Sequence, residues 1–167
     1  RFETVFYSHL RDKVVKALLE AHPYEEVAYD LYPLENDNTD LGLGCYGYLQ
    51  DPLGERDFLE LVAERFEAGG LRYSNLNGNM IRKVAVCGGS GSSLLRDALA
   101  CRADAFVTGD IKYHTWFETD NSILLADCGH FESEKFSTEV LHELIIKKFP
   151  TFALRFSETN TNPINYL

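Results

Sequence analysis

Apolar residues recur along this chain with two different periods, and the switches between them mark out its elements. Alternation over residues 2–7 predicts a strand, and Ser8 follows where it can cap a helix. That helix presents Leu10, Val14, Leu18 and Ala21 on one face and is stopped by His22-Pro23. Val27, Tyr29 and Leu31 alternate again, predicting a second strand that ends at Pro33. The acidic, asparagine-rich residues 35–40 read as a loop, and the glycine-studded residues 41–49 as a strand whose glycines signal close backbone approach or a bulge. From Glu55, the positions Phe58, Val62 and Phe66 keep helical spacing until Gly69-Gly70 supplies a stop, after which Leu71-Arg72-Tyr73 makes a last strand. The order strand, helix, strand, strand, helix, strand is that of a ferredoxin-like βαββαβ unit.

The turn-rich Asn75-Leu76-Asn77-Gly78-Asn79 places a domain boundary, dividing the chain into residues 1–77 and 78–167. Beyond it the pattern changes character. Val84-Ala85-Val86-Cys87, Ala105-Phe106-Val107-Thr108 and Ile123-Leu124-Leu125-Ala126 are continuous apolar runs, the signature of parallel strands buried on both faces. Leu94, Leu95, Ala98 and Leu99 mark a helix between the first two runs; Phe136, Val140, Leu144 and Ile145 mark another near the end, before a closing strand over residues 151–156. The expected architecture is therefore α+β in the first half and a largely parallel α/β lobe in the second, with ligands at the strand C-termini.

Composition narrows the function classes. The chain has 167 residues, 45% apolar and 13% aromatic, enough to bury a real core. Asp and Glu number 26 against 16 Lys and Arg, a formal charge of −10, and no basic cluster occurs; this disfavours a nucleic-acid or anionic-membrane surface. No stretch approaches the roughly 18 apolar residues of a membrane span. The four cysteines, Cys45, Cys87, Cys101 and Cys128, form no C-x-x-C pair and read as buried reduced thiols of a cytoplasmic protein. An opening at Arg1 rather than methionine predicts a processed product or an excised fragment.

Three strand ends of the second half pass through glycine into polar residues: Gly88 with Gly89, Ser90 and Gly91; Gly109 with Asp110, Lys112 and His114; and Gly129 with His130, Glu132 and Glu134. In a parallel sheet such ends lie side by side and can converge on one crevice. A helix starting near His130 would stack its imidazole and the Glu134 carboxylate on one face, which suits either half of a metal site or a salt-bridging or capping pair. The glycine-rich loop lacks the Gly-Lys-Ser/Thr of a Walker A motif and has Leu94 where the last glycine of G-x-G-x-x-G belongs, leaving an anion nest or a structural turn. If extended, Asp110, Lys112 and His114 share one face: Lys112 then suits a phosphate, and His114 an acid, base or outer partner of a ligand. The competing reading is a solvated loop.

Several segments together resemble the Nif-three-like family, whose members commonly carry the name GTP cyclohydrolase I type 2: His22-Pro23-Tyr24-Glu25-Glu26-Val27-Ala28-Tyr29-Asp30, Gly42-Leu43-Gly44, Val84 to Gly91, Ala103 to His114, Asp127 to Glu134 and Thr161-Asn162-Pro163. The resemblance covers essentially the whole chain in order. It implies that the first half is the PII-like insertion of some bacterial members and the second their C-terminal lobe. It further implies two divalent metal ions, zinc, iron or manganese, with His130 and Glu134 as ligands. The remaining ligands, a neighbouring His-His pair and an aspartate, belong to an N-terminal lobe absent from this sequence, so weak or no metal binding is expected of this chain alone.

The expected function is the C-terminal part of a metal-dependent hydrolase-like protein acting on a nucleotide-like or phosphorylated small molecule, with Lys112, His114, Asp110, Gly89, Ser90 and Gly91 toward the substrate or behind the ligands. The alternative is a regulatory module that senses a small ligand or oligomerises without catalysis. In either case further copies of the same chain are expected partners.

Overall fold

A computed structural model describes residues 1–36 and 41–167, and the chain clusters into two compact units, Arg1–Thr39 and Asp40–Leu167. The first unit contains a 3-10 turn, Ser8–Leu10, and helix α1, Arg11–Ala21. The helix forms over the predicted apolar face, but no side-chain hydrogen bond caps either element, so the capping expected of Ser8 is not made. It ends where predicted: His22 turns to extended backbone before Pro23, its N–H still donating to the Leu18 carbonyl. Residues 2–7 and 27–31 carry the alternation of strands without forming them. No ladder falls on these segments among the described residues, and Phe2, Val5 and Tyr29 are 86%, 76% and 45% exposed. A period of two becomes a strand only when a neighbour takes its backbone groups. The loop expected over residues 35–40 lies, from residue 37, outside the described residues.

The second unit is built on one five-stranded sheet. Strand β1, Cys45–Gly54, leads into helix α2, Glu55–Phe66, and the short β2, Arg72–Tyr73. Strand β3, Met80–Ser90, is followed by helix α3, Leu95–Ala100; then come β4, Ala105–Gly109, and β5, Leu124–Asp127, and the helices α4, His130–Glu134, and α5, Ser137–Lys148. The order across the sheet is β1-β3-β4-β5-β2. β3, β4 and β5 run parallel, with Val84 opposite Ala105 and Ala105 opposite Leu124, while β1 and β2 pair antiparallel at the two edges. The α/β class and the parallel lobe expected from the apolar runs are borne out. Pro52 sits where the β1 register shifts between Tyr48 and Leu53; an edge strand tolerates the missing donor there.

Burial on both faces explains the unbroken apolar runs. Phe58, Leu59 and Val62 of α2 pack with Ile81, Ala105, Val107, Leu124 and Ala126 on one face of the sheet. Leu95 and Ala98 of α3 pack with Ala85, Phe106 and Leu125 on the other. Consecutive residues of β4 and β5 therefore feed opposite cores, and every residue of both strands is buried. Gly44 is a close approach of the expected kind: a Cβ there would lie 2.7 Å from the Val86 carbonyl oxygen.

Three expectations change. α2 ends at Glu67, which takes a left-handed φ of 47° while the Ala68 N–H reaches back to the Ala63 carbonyl, so Gly69-Gly70 is not the stop. Those glycines instead let the Tyr166 ring lie on the backbone; a Cβ on Gly70 would come within 2.8 Å of it. Residues 151–156 form no strand. The expected boundary between residues 77 and 78 falls inside the sheet, since β1 and β2 precede it and β3 to β5 follow it. The expected α5 does form, with no buried residue. Among the described residues no helix is long and apolar enough to cross a membrane.

Two outcomes follow from this division between core and surface. Leu125→Ala, at a side chain with 0% exposure, should cost about 3 kcal/mol in urea unfolding, whereas Leu141→Ala, 57% exposed on α5, should stay within about 0.5 kcal/mol. Burial, reinforced by the Asp127 charge, pushes the Cys128 thiol up to about 12. In native protein at pH 8, thiol labelling followed by peptide mapping should find Cys45, which is exposed, modified early and Cys128 only after unfolding.

Candidate functional site

The parallel register brings the ends of β3, β4 and β5 together, as their glycine-to-polar transitions predict. Gly109 at the end of β4 abuts the start of α4 so closely that a Cβ would lie 2.9 Å from the His130 backbone nitrogen. Asp110 then takes a left-handed φ of 56°, which aims its carboxylate back across the strand ends. Its Oδ2 lies 2.6 Å from His130 Nδ1. On the other side of the ring, His130 Nε2 lies 3.1 Å from Glu134 Oε2, the i, i+4 contact expected of a helix that starts at His130. Asp110, His130 and Glu134 thus form a line of carboxylate, imidazole and carboxylate, each about half exposed. The hydrogen bond that the imidazole makes to the Asp110 carboxylate foremost, aided by the charges of both carboxylates, raises the His130 pKa against the opposing effect of burial.

Supporting contacts hold this line from beneath. Ser133 donates from Oγ to the His130 carbonyl at 2.8 Å and accepts from the Gly89 N–H at 2.9 Å, tying α4 to the end of β3. Thr108, fully buried, accepts from the Gly91 N–H at 2.9 Å and donates to the Gly89 carbonyl at 3.1 Å. The amides of Gly89 and Gly91 are thereby committed to side chains of the protein. Gly89 also has a φ of 61° and faces the Glu134 carboxylate, a position where any side chain would meet that group. Ser90 is exposed at the same strand end.

Lys112 and His114 lie beyond this group. The left-handed Asp110 and a 3-10 turn, Tyr113–Thr119, break the extended geometry in which the three residues would share a face. Among the described residues neither side chain makes a hydrogen bond or ion pair; the His114 ring packs edge-on to Tyr113, 5.5 Å between centroids. Sequence reasoning quoted Asp127 and Glu132 without giving them a role, and passed over Arg72, Thr108, Ser133 and Tyr166. Asp127, 3% exposed, binds the Arg72 guanidinium and accepts from the Ile111 N–H at 2.9 Å and the Gly129 N–H at 3.0 Å. The available signal was a carboxylate closing an apolar strand run, since a buried charge demands partners. Glu132, 4% exposed, accepts at Oε1 from Asn162 Nδ2 at 3.0 Å and the Tyr166 hydroxyl at 3.2 Å, while its Oε2 has no hydrogen-bond partner.

The donor chemistry fits part of a metal site. An imidazole whose Nδ1 is held by a carboxylate and whose Nε2 sits beside a second carboxylate is the pattern by which proteins orient a histidine ligand. Two donors do not complete a zinc shell, which takes four. Among the described residues no group of three or more His, Cys, Asp and Glu side chains is placed to hold an ion.

Known proteins resemble this chain over its full length. GTP cyclohydrolase 1 type 2 homologs from Bacillus subtilis and Halalkalibacterium halodurans are 34% and 36% identical to it, each across 100% of this chain and 46% of the relative. The crystal structure of a Bacillus cereus protein related to NIF3 superposes with a TM-score of 0.78 at 35% identity, covering 97% of this chain and 46% of that one. A Staphylococcus aureus protein of 22% identity shares the fold, with a TM-score of 0.77 over 99% of this chain and 55% of its own. The chain spans about half the length of the curated relatives it matches. The profile described as Duf34/NIF3 (NGG1p interacting factor 3) matches residues 7–163, and the chain belongs to that family.

Proposed function

We propose that this chain supplies His130 and Glu134 to a centre of two divalent metal ions, zinc, iron or manganese, in a hydrolase-like protein of the cytoplasm that acts on a nucleotide-like or phosphorylated small molecule. The observation that carries the reading is the His130 ring itself, gripped at Nδ1 by Asp110 and presenting Nε2 beside Glu134 on an exposed face at the strand ends. Asp110 fixes the ring and its tautomer, so the ring's second nitrogen is oriented before any ligand arrives. Glu134 adds an anionic oxygen on the same face, and Gly89 keeps the space beside it free of a side chain. Bound divalent ions supply Lewis acidity and lower the pKa of a coordinated water. The rest of the ligand set falls to the part of the relatives' length that this chain does not span. The names of the relatives support a nucleotide-like substrate, and Lys112 and His114, on the loop that follows Asp110, are the residues we assign to it.

A second reading rests on a different observation. β1 is an edge of the sheet, and its Tyr46 and Tyr48 are 57% and 67% exposed. Such an edge suits pairing with another copy of the chain, with or without catalysis. Light scattering on the purified chain should then give a mass above that of one copy, and Tyr48→Lys should lower it; a monomer at all concentrations would remove this reading.

The metal reading is tested with Mn²⁺ alone. Paramagnetic broadening should begin at the His130 and Glu134 signals, and Glu134→Gln should weaken it by at least about tenfold in Mn²⁺ concentration. Broadening that begins elsewhere, or that survives Glu134→Gln unchanged, would sink the assignment. Gly89→Ala should act in the same direction, because its left-handed backbone disfavours a Cβ and that Cβ would push the Glu134 carboxylate aside.

A further inference from the structure

The last residues of the chain close onto the back of the helix that bears the candidate ligands. α4 is five residues long, and about 100° of rotation per residue puts Glu132 on the face opposite His130 and Glu134. Glu132 is 4% exposed, and both hydrogen bonds to its carboxylate come from the C-terminal segment: Asn162 Nδ2 at 3.0 Å and the Tyr166 hydroxyl at 3.2 Å. The donors are themselves anchored. Asn162 Oδ1 accepts from the Ile164 N–H at 3.1 Å, closing a turn, and the Tyr166 ring packs closely against Gly69 and Gly70 beyond α2. The other carboxylate oxygen, Oε2, is buried against Gly129, the residue from which α4 starts, with no hydrogen-bond partner.

We infer that Asn162 and Tyr166 are positioning residues: by fastening Glu132 they set the orientation of α4 and hence of the His130 and Glu134 side chains on its other face. A helix this short does not hold its own geometry. On the site side it is tied by Ser133 to the Gly89 amide and by His130 to Asp110; on the far side this latch holds Glu132, and Lys135, which caps the helix end, pairs with Glu67 at 2.6 Å. A buried carboxylate with one oxygen already unpartnered has no slack, because losing either donor leaves more of its charge unsatisfied and drives the helix to shift. The latch thus couples the chain's last turn to the site. Its importance for metal binding rests on the reading proposed above, while its control of the His130 orientation does not.

The test compares wild type with Tyr166→Phe, which keeps the ring on its glycine shelf and removes only the hydroxyl, and with the double variant Tyr166→Phe/Asn162→Ala. The readout is the side-chain ¹H–¹⁵N spectrum of His130, with Ile164→Ala, in the same segment but outside the latch, as the control. We expect the His130 signals to move by more than a linewidth in Tyr166→Phe and further in the double variant, and to stay in place in Ile164→Ala. Melting of Tyr166→Phe should fall by only about 4 °C or less, which separates a reoriented helix from an unfolded one. Mn²⁺ alone should bind the double variant about tenfold more weakly than wild type. His130 signals that superpose on wild type in folded Tyr166→Phe and double-variant protein would overturn the latch. A wild-type Mn²⁺ response that begins away from His130 and Glu134 would overturn the metal reading instead, and the latch would still be decided by the spectra.

Discussion

A buried carboxylate at the end of β5 holds the candidate site together. Asp127 has water on almost none of its surface, and a charge in that position is tolerable only with its oxygens engaged. Its partners come from three places: the Arg72 guanidinium of β2, the Ile111 N–H just after β4, and the Gly129 N–H just before α4. The last two flank the residues of the site, Asp110 on one segment and His130 on the other. The 2.6 Å contact between those two side chains is therefore set by a third group that neither of them touches. Replacing Asp127 with an apolar residue would leave the Ile111 and Gly129 amides without their acceptor and the Arg72 guanidinium with the Ile111 carbonyl at 3.3 Å, and both loops would lose their common reference.

The same economy governs α4. It is too short for its own hydrogen bonds to define it, so its direction is fixed by what its side chains meet. Ser133 reaches the Gly89 amide and the His130 carbonyl; Glu132 reaches the C-terminal segment; His130 reaches Asp110. Glycines appear wherever these approaches leave no room for a Cβ, at Gly89 beside Glu134, at Gly109 beside His130 and at Gly129 beside Glu132. These positions are dictated by crowding, and at Gly89 and Gly129 by a positive φ as well.

What the sequence made legible was what local pattern determines. The three apolar runs predicted β3, β4 and β5 and their parallel pairing because both faces of those strands are covered. The His130–Glu134 contact was legible for the same reason, since helical spacing alone brings the pair together. What stayed hidden was long-range. Nothing near Phe2 or Val27 shows whether a neighbouring strand exists to satisfy an alternating segment, and without one the alternation forms no ladder. Gly69-Gly70 looked like a helix stop because the ring that needs those glycines is nearly a hundred residues away, at Tyr166. Asp110, Lys112 and His114 alternate in sequence, yet one left-handed residue at Asp110 ends the alternation; aspartate is among the few residues that accept that conformation readily.

The residues that shape the site are thus scattered from Arg72 to Tyr166 while the groups exposed on it come from short stretches at the strand ends. Such a site is as stable as the whole unit that carries it, because no single segment contains its geometry. Its exposed members, Asp110, His130 and Glu134, already satisfy one another as a hydrogen-bonded line. The face is consequently preorganised without being closed: two donors point the same way, with half of each still in water. Covering these three polar side chains with apolar surface would cost their hydration and return no bond, so the face stays open to water or to a polar partner.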